Sequence, residues 1–219
     1  KESAHKISRG DVEFKNVSFS YDGKRDVLKN ISFSVKNGES IAFVGATGSG
    51  KSSIMNLFLR FYDYHRGEIL IDGVDIKDYS AKELRNSVGL VLQDPFLYHG
   101  TVESNIKMYN EELTREDVIE AAKFVDAHNF IDKLEDKYDS IVTERGSTFS
   151  SGERQLLTFA RTIASKPKIL ILDEATANID SETEELIQHS LEKMRKGRTT
   201  IAIAHRLSTI QDSNCIYVL

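Results

Sequence analysis

The octapeptide Gly45 to Ser52, GATGSGKS, sets glycines, a lysine and a terminal hydroxyl at the spacing G-x-x-x-x-G-K-[ST]. Glycines allow a tight backbone turn, so that successive N–H groups and the start of a following helix face an anion with fixed positive potential. Gly45, Thr47, Gly48, Ser49, Gly50, Lys51, Ser52 and Ser53 are therefore candidate phosphate contacts. Lys51 would reach the β- and γ-phosphates of a nucleotide, and Ser52 would ligate Mg2+. A glycine-rich surface turn has a similar composition, and the pattern alone does not choose among GTPases, kinases and ATP-driven motors.

Two further segments carry chemistry. Lys168 to Glu174, KILILDE, is an apolar run closing on adjacent carboxylates, and alternation across a strand lets neighbours do different work. Asp173 suits Mg2+ and Glu174 suits a general base acting on water; the plain alternative is a buried strand meeting solvent. Ser150 to Gln155, SSGERQ, precedes the apolar helical stretch LLTFARTIA. Its N–H groups at a helix start could hold a second anion, or Ser150 could be an ordinary N-cap.

The elements that must position these residues follow from periodicity. Val12 to Val35 alternates apolar and polar residues around the turn at Asp22-Gly23-Lys24, as half-buried antiparallel strands do. Ser40 to Val44 is a strand-sized apolar run before the glycine-rich loop, and Lys51 to Phe61 follows with helical spacing. Gly67 to Ile71 reads as a strand, Lys82 to Asn86 as a helix and Val88 to Leu92 as extended. Thr114 with Asp117 forms a capping-box pattern ahead of Val118, Ala121, Ala122 and Val125 at helical period. Ile169 to Leu172 and Thr200 to Ala204 flank a helix from Ser181 to Met194, a strand-helix-strand order that implies a parallel sheet.

The 219 residues, 40% of them apolar, are enough for a substantial core, and one cysteine, Cys215, cannot form an internal disulfide. A net charge of -5 argues against a broad nucleic-acid footprint. No apolar run approaches the roughly 20 residues of a spanning helix. Lys1 follows no initiator Met, and Tyr217-Val218-Leu219 ends inside a strand pattern, so the expectation is a piece of a longer chain.

The loop GATGSGKS, the segment FSSGERQ, then ILILDEATANID and IAIAHRLST, in this order, resemble the motif set of the nucleotide-binding domains of ABC transporters. The resemblance spans essentially the whole chain. It implies an α/β fold: a RecA-like P-loop NTPase core with a parallel sheet and an antiparallel β subdomain, approximately residues 1–94 and 166–219, and an α-helical subdomain, approximately 95–165. It further implies Tyr21 as the aromatic stacking on adenine, Gln93 as a ligand of Mg2+ and of the attacking water, and His205 as the switch histidine at the γ-phosphate. The resemblance also implies that Asp180 closes a loop that crosses to an opposing subunit, and Thr143 to Gly146, TERG, is similar to an exporter segment that senses membrane domains.

By the same resemblance the cofactors are ATP and Mg2+, and the partners are a second such domain packed head to tail and the transmembrane domains of the transporter, in the same full-length chain, at the cytoplasmic face of the membrane. Each ATP would lie between one chain's phosphate loop and, in trans, the other's Ser150, Ser151, Gly152, Glu153 and Asp180. The segment Phe149 to Glu153 departs from the usual LSGGQ: Ser151 adds a side chain, and Glu153 adds a carboxylate near the phosphate. An altered signature beside a regular Glu174 resembles one subunit of a heterodimeric exporter, with a homodimer as the alternative. A soluble ABC-type ATPase or a regulatory nucleotide-binding module remain the other readings. A GTPase would need NKxD and DxxG patterns, which do not occur.

Overall fold

The computed structural model describes residues 5–45, 50–92, 96–108, 110–173, 181–204 and 213–219. In chain order the elements are β1 (Val12–Phe19), β2 (Leu28–Val35), β3 (Ser40–Val44), α1 (Lys51–Phe58), β4 (Arg66–Ile71), β5 (Val74–Asp75), α2 (Ala81–Ser87) and β6 (Val88–Val91). They continue with β7 (Gly100–Thr101), α3 (Val102–Lys107), α4 (Arg115–Phe124), α5 (His128–Asp132), β8 (Ile141–Val142), α6 (Ser151–Ala164) and β9 (Ile169–Asp173). The chain then forms α7 (Ser181–Arg195), β10 (Thr199–Ala204) and β11 (Cys215–Val218). It divides into two compact units, one of residues 1–89, 168–174 and 197–219, the other of 90–167 and 175–196.

The first unit holds an antiparallel sheet of order β2-β1-β4-β5 and the larger sheet of order β11-β3-β10-β9-β6. In the first of these Phe14 of β1 lies opposite Phe33 and Ile69, and its ring stacks on Phe33 at 4.4 Å, so the inward residues of the alternating pattern make one apolar face. In the second, β3, β10 and β9 run parallel, and every residue of β10 is buried, which is why TTIAIA carries no polar alternation.

Helix α1 stops at Phe58, although the helical spacing continues to Phe61. Arg60 takes a left-handed conformation, φ 58°, while its own N–H donates to the Leu57 carbonyl and that of Phe61 to the Asn56 carbonyl. That is a Schellman stop made without glycine, with the Arg60 guanidinium donating to the Tyr79 carbonyl at 2.8 Å.

The second unit is largely helical. Thr114 and Asp117 form the expected capping box at the start of α4, with N–H to side-chain oxygen distances of 2.9 and 3.2 Å. Helix α6 buries Leu156, Leu157, Phe159, Ala160 and Ile163 against α3, α4 and α7. Among the described residues no helix is long and apolar enough to cross a membrane.

Candidate functional site

Parallel register sets the level of the first unit's functional residues. Phe43 of β3 pairs with Ile203 of β10, which pairs with Asp173 of β9. Asp173 therefore ends its strand about two strand spacings, roughly 10 Å, from the point where β3 runs into the glycine-rich loop. Both lie at the carboxyl edge of one parallel sheet, where open α/β sheets bind ligands.

Gly50 caps α1 with φ 98°, and a Cβ there would lie 2.8 Å from Leu28 Cδ2 and 3.2 Å from the Val27 carbonyl, so only glycine fits. Lys51 begins the helix with its side chain buried, its ammonium donating to the Gly45 carbonyl at the mouth of the loop. Ser52 is exposed on the first turn. A serine hydroxyl and the Asp173 carboxylate are hard oxygen donors that suit Mg2+, which keeps several waters and takes substrate phosphate oxygens.

Tyr21 follows β1, 49% exposed, with its hydroxyl 2.9 Å from Ser53 Oγ and accepting from Asn56 Nδ2 at 3.3 Å. Its ring meets Phe19 and Tyr62 edge-on, at centroid distances of 4.6 and 5.0 Å. Asn56 and Tyr62 belong to none of the sequence motifs. The i, i+3 spacing of Ser53 and Asn56, which places both on one face of α1, is the signal that groups them.

In the second unit Ser150 is the N-cap of α6. Its Oγ accepts from the Glu153 N–H at 3.1 Å, and Glu153 Oε1 accepts from the Ser150 N–H at 2.9 Å. The Glu153 carboxylate is thus turned back onto its own helix start, where the helix dipole favours negative charge. Gly146 of the TERG run has φ 64°, and a Cβ there would lie 2.8 Å from Leu97 Cδ1. Thr47, Gly48, Ser49, Gln93, Glu174, Asp180 and His205 lie outside the described residues.

The ABC transporter family model matches residues 28–177, which include the phosphate loop, the FSSGE segment and both carboxylates of ILDE. The chain belongs to the ABC transporter family. The ATP-binding domains of this family hydrolyse ATP.

This ABC domain is 67% identical over 98% of its length to a Streptococcus pneumoniae protein assigned as an ABC transporter ATP-binding protein, exp8, of which it covers 36%. It is 52% identical over 100% of its length to a Bacillus subtilis protein assigned as a multidrug resistance ABC transporter ATP-binding/permease protein, YheH, of which it covers 32%. The ABC domain therefore spans about a third of these relatives. Among solved structures, a bacterial Atm1-family ABC exporter with ATP bound is similar with a TM-score of 0.88 and 43% identity, covering 100% of this chain and 38% of that one. The likeness extends over both units of the ABC domain, which has the α/β fold of ABC ATPases.

Proposed function

We propose that the chain is the motor domain of a multidrug-type exporter: it binds MgATP, hydrolyses it at the cytoplasmic face of a membrane and drives substrate outward through transmembrane domains of the same full-length protein. The observation that carries the reading is that Asp173 and the end of β3 lie at the carboxyl edge of one parallel sheet, with the Lys51 ammonium donating to the Gly45 carbonyl just past β3, in a chain similar over its whole length to exporter ATP-binding proteins.

The chemistry is in-line phosphoryl transfer by positioning and charge neutralisation. The loop N–H groups and the start of α1 bind and orient the phosphates, Lys51 neutralises β- and γ-oxygens, and Ser52, Asp173 and Gln93 would hold Mg2+, which would supply further positive charge to the phosphates. Glu174 polarises the attacking water, His205 holds that water against the γ-phosphate, and Tyr21 stacks on the adenine. A second ABC domain packs head to tail, and this chain's Ser150, Ser151, Gly152, Glu153 and Asp180 act in trans on the nucleotide held by that domain's phosphate loop.

The signature FSSGE beside a regular Glu174 supports a heterodimer, in which Glu174 works against a partner's regular signature and FSSGE serves a slower site. Glu174→Gln in the full-length transporter should abolish steady-state ATP turnover while ATP still binds. Near-normal turnover in that variant would remove Glu174 from the base role.

A further inference from the structure

A stacking side chain contributes most when its ring is already fixed in the orientation that receives the base, because the ordering cost is then met before binding. Tyr21 sits in an exposed turn between β1 and β2. The hold on its ring comes from outside that turn. The phenol reaches α1, where it accepts from Asn56 Nδ2 and is placed to donate to Ser53 Oγ, and Tyr62 braces the ring edge-on at 89°. Ser53 is almost wholly buried and so fixed in place.

We propose that Asn56 is a positioning residue for nucleotide binding: with Ser53 it ties the base-stacking ring of Tyr21 to the helix whose first turn holds the phosphates, so that base and phosphates are received by one rigid element. The proposal rests on the reading of Tyr21 as the base-stacking residue. It explains a polar Asn56 three residues beyond Ser53 on α1, beneath an exposed tyrosine and outside the set of candidate phosphate contacts. The ring would receive the base through stacking area rather than through base-edge hydrogen bonds, and stacking is tolerant of base identity.

The test uses the full-length protein and two ligands, MgATP and inorganic tripolyphosphate, the second having phosphates and no base. Tyr21→Ala should raise KM for MgATP by about tenfold or more, the loss of a stacked base. Asn56→Ala and Tyr21→Phe should each raise it by about threefold to tenfold, the loss of a tethering hydrogen bond, with kcat within about twofold of the parent. The double variant Tyr21→Phe with Asn56→Ala should be no worse than Tyr21→Phe alone, because that variant already loses the bonds to both Asn56 and Ser53. Inhibition by tripolyphosphate should stay at the parent value throughout. If Tyr21→Ala raises KM and Asn56→Ala does not, the positioning role falls while the base-stacking reading stands. A parallel weakening of tripolyphosphate in Asn56→Ala would place the effect on the phosphate-binding turn and equally overturn the proposal. An unchanged KM in Tyr21→Ala would remove the base-stacking reading itself, and the proposal with it.

Discussion

A methyl group on Gly152 would lie 1.9 Å from Cγ2 of Thr183, so the first turn of α6 and the first turn of α7 meet where the glycine has no side chain. The glycine of FSSGE is therefore required by packing within its own unit, apart from any approach of a phosphate. Gly152→Ala must displace one of the two helices, an overpacking cost of about 1–3 kcal/mol. The backbone at Gly152 has no positive φ, so the strain is steric and can be relieved from the other side. Thr183→Ala should restore part of the lost stability and turnover; the Thr183 Cβ, at 2.9 Å from the added methyl, keeps it from restoring all. Thermal melts and ATPase rates of the two single variants and the double decide this, and a Gly152→Ala chain as stable as the parent would remove the contact.

The carboxylate of Glu153 accepts from the Ser150 N–H and closes the capping box of α6. A glutamine can make the same bond, and an alanine cannot. Glu153→Gln should hold stability within about 0.5 kcal/mol of the parent, whereas Glu153→Ala should lose about 1 kcal/mol. With the carboxylate occupied at the helix start, Glu153→Gln combined with Ser151→Gly should leave most ATP turnover of the full-length protein unchanged. A tenfold fall in KM for ATP in Glu153→Gln would instead mean that the charge faces the nucleotide and repels it.

What the sequence made legible was whatever depends on near neighbours. Alternation located β1 and β2, the β-rich run from Thr200 to Ala204 located β10 in a parallel sheet, and Thr114 with Asp117 announced the start of α4. The end of α1 was not legible, because the stop is a left-handed Arg60 held by the Tyr79 carbonyl, with no glycine to mark it. The same limit applies at the site. Motif spacing singles out Gly50, Lys51 and Asp173, but the close approach of Gly152 to Thr183 and the tie from Asn56 to Tyr21 join residues 31 and 35 positions apart, through packing that no local pattern records.

Gly50 is the harder case beside Gly152. Its φ of 98° is one that side chains rarely adopt, and a Cβ would also press on Leu28 Cδ2. Gly50→Ala should lower stability by about 1 kcal/mol or more from the backbone alone, and it should tilt the N–H groups that would face the phosphates. Trimming the neighbour with Leu28→Ala should not rescue it, because the backbone strain remains after the clash is gone. Isothermal titration of MgATP together with melting temperatures checks both points, and rescue by Leu28→Ala would show that the conformation at Gly50 is not limiting.

Burial alone would raise the pKa of Asp72, but its carboxylate accepts N–H bonds from Asp11, Ser8, Arg9 and Gly10, at 2.8–3.1 Å, and together they hold it below its ordinary 3.8. The carboxylate therefore clamps the strand of chain that leads into β1 onto the turn between β4 and β5. A carboxylate whose pKa falls on folding contributes its full stability above the unfolded value and loses it as pH drops through the folded one. Between pH 5 and 8 the clamp should be constant, and below about pH 4 the stability of the parent should fall in part through this group. Asp72→Asn offers one carbonyl oxygen where two carboxylate oxygens serve four N–H donors and the Ser8 hydroxyl, and its amide N–H groups face N–H groups. It should lose on the order of 2 kcal/mol at pH 7, the scale of hydrogen bonds to a charged group. It should also show a flatter acid limb than the parent. Urea midpoints measured from pH 7 down to pH 3 for both proteins give the comparison. Parallel acid limbs would mean that Asp72 does not change its proton affinity on folding, and equal midpoints at pH 7 would mean that the four N–H bonds add nothing to the fold.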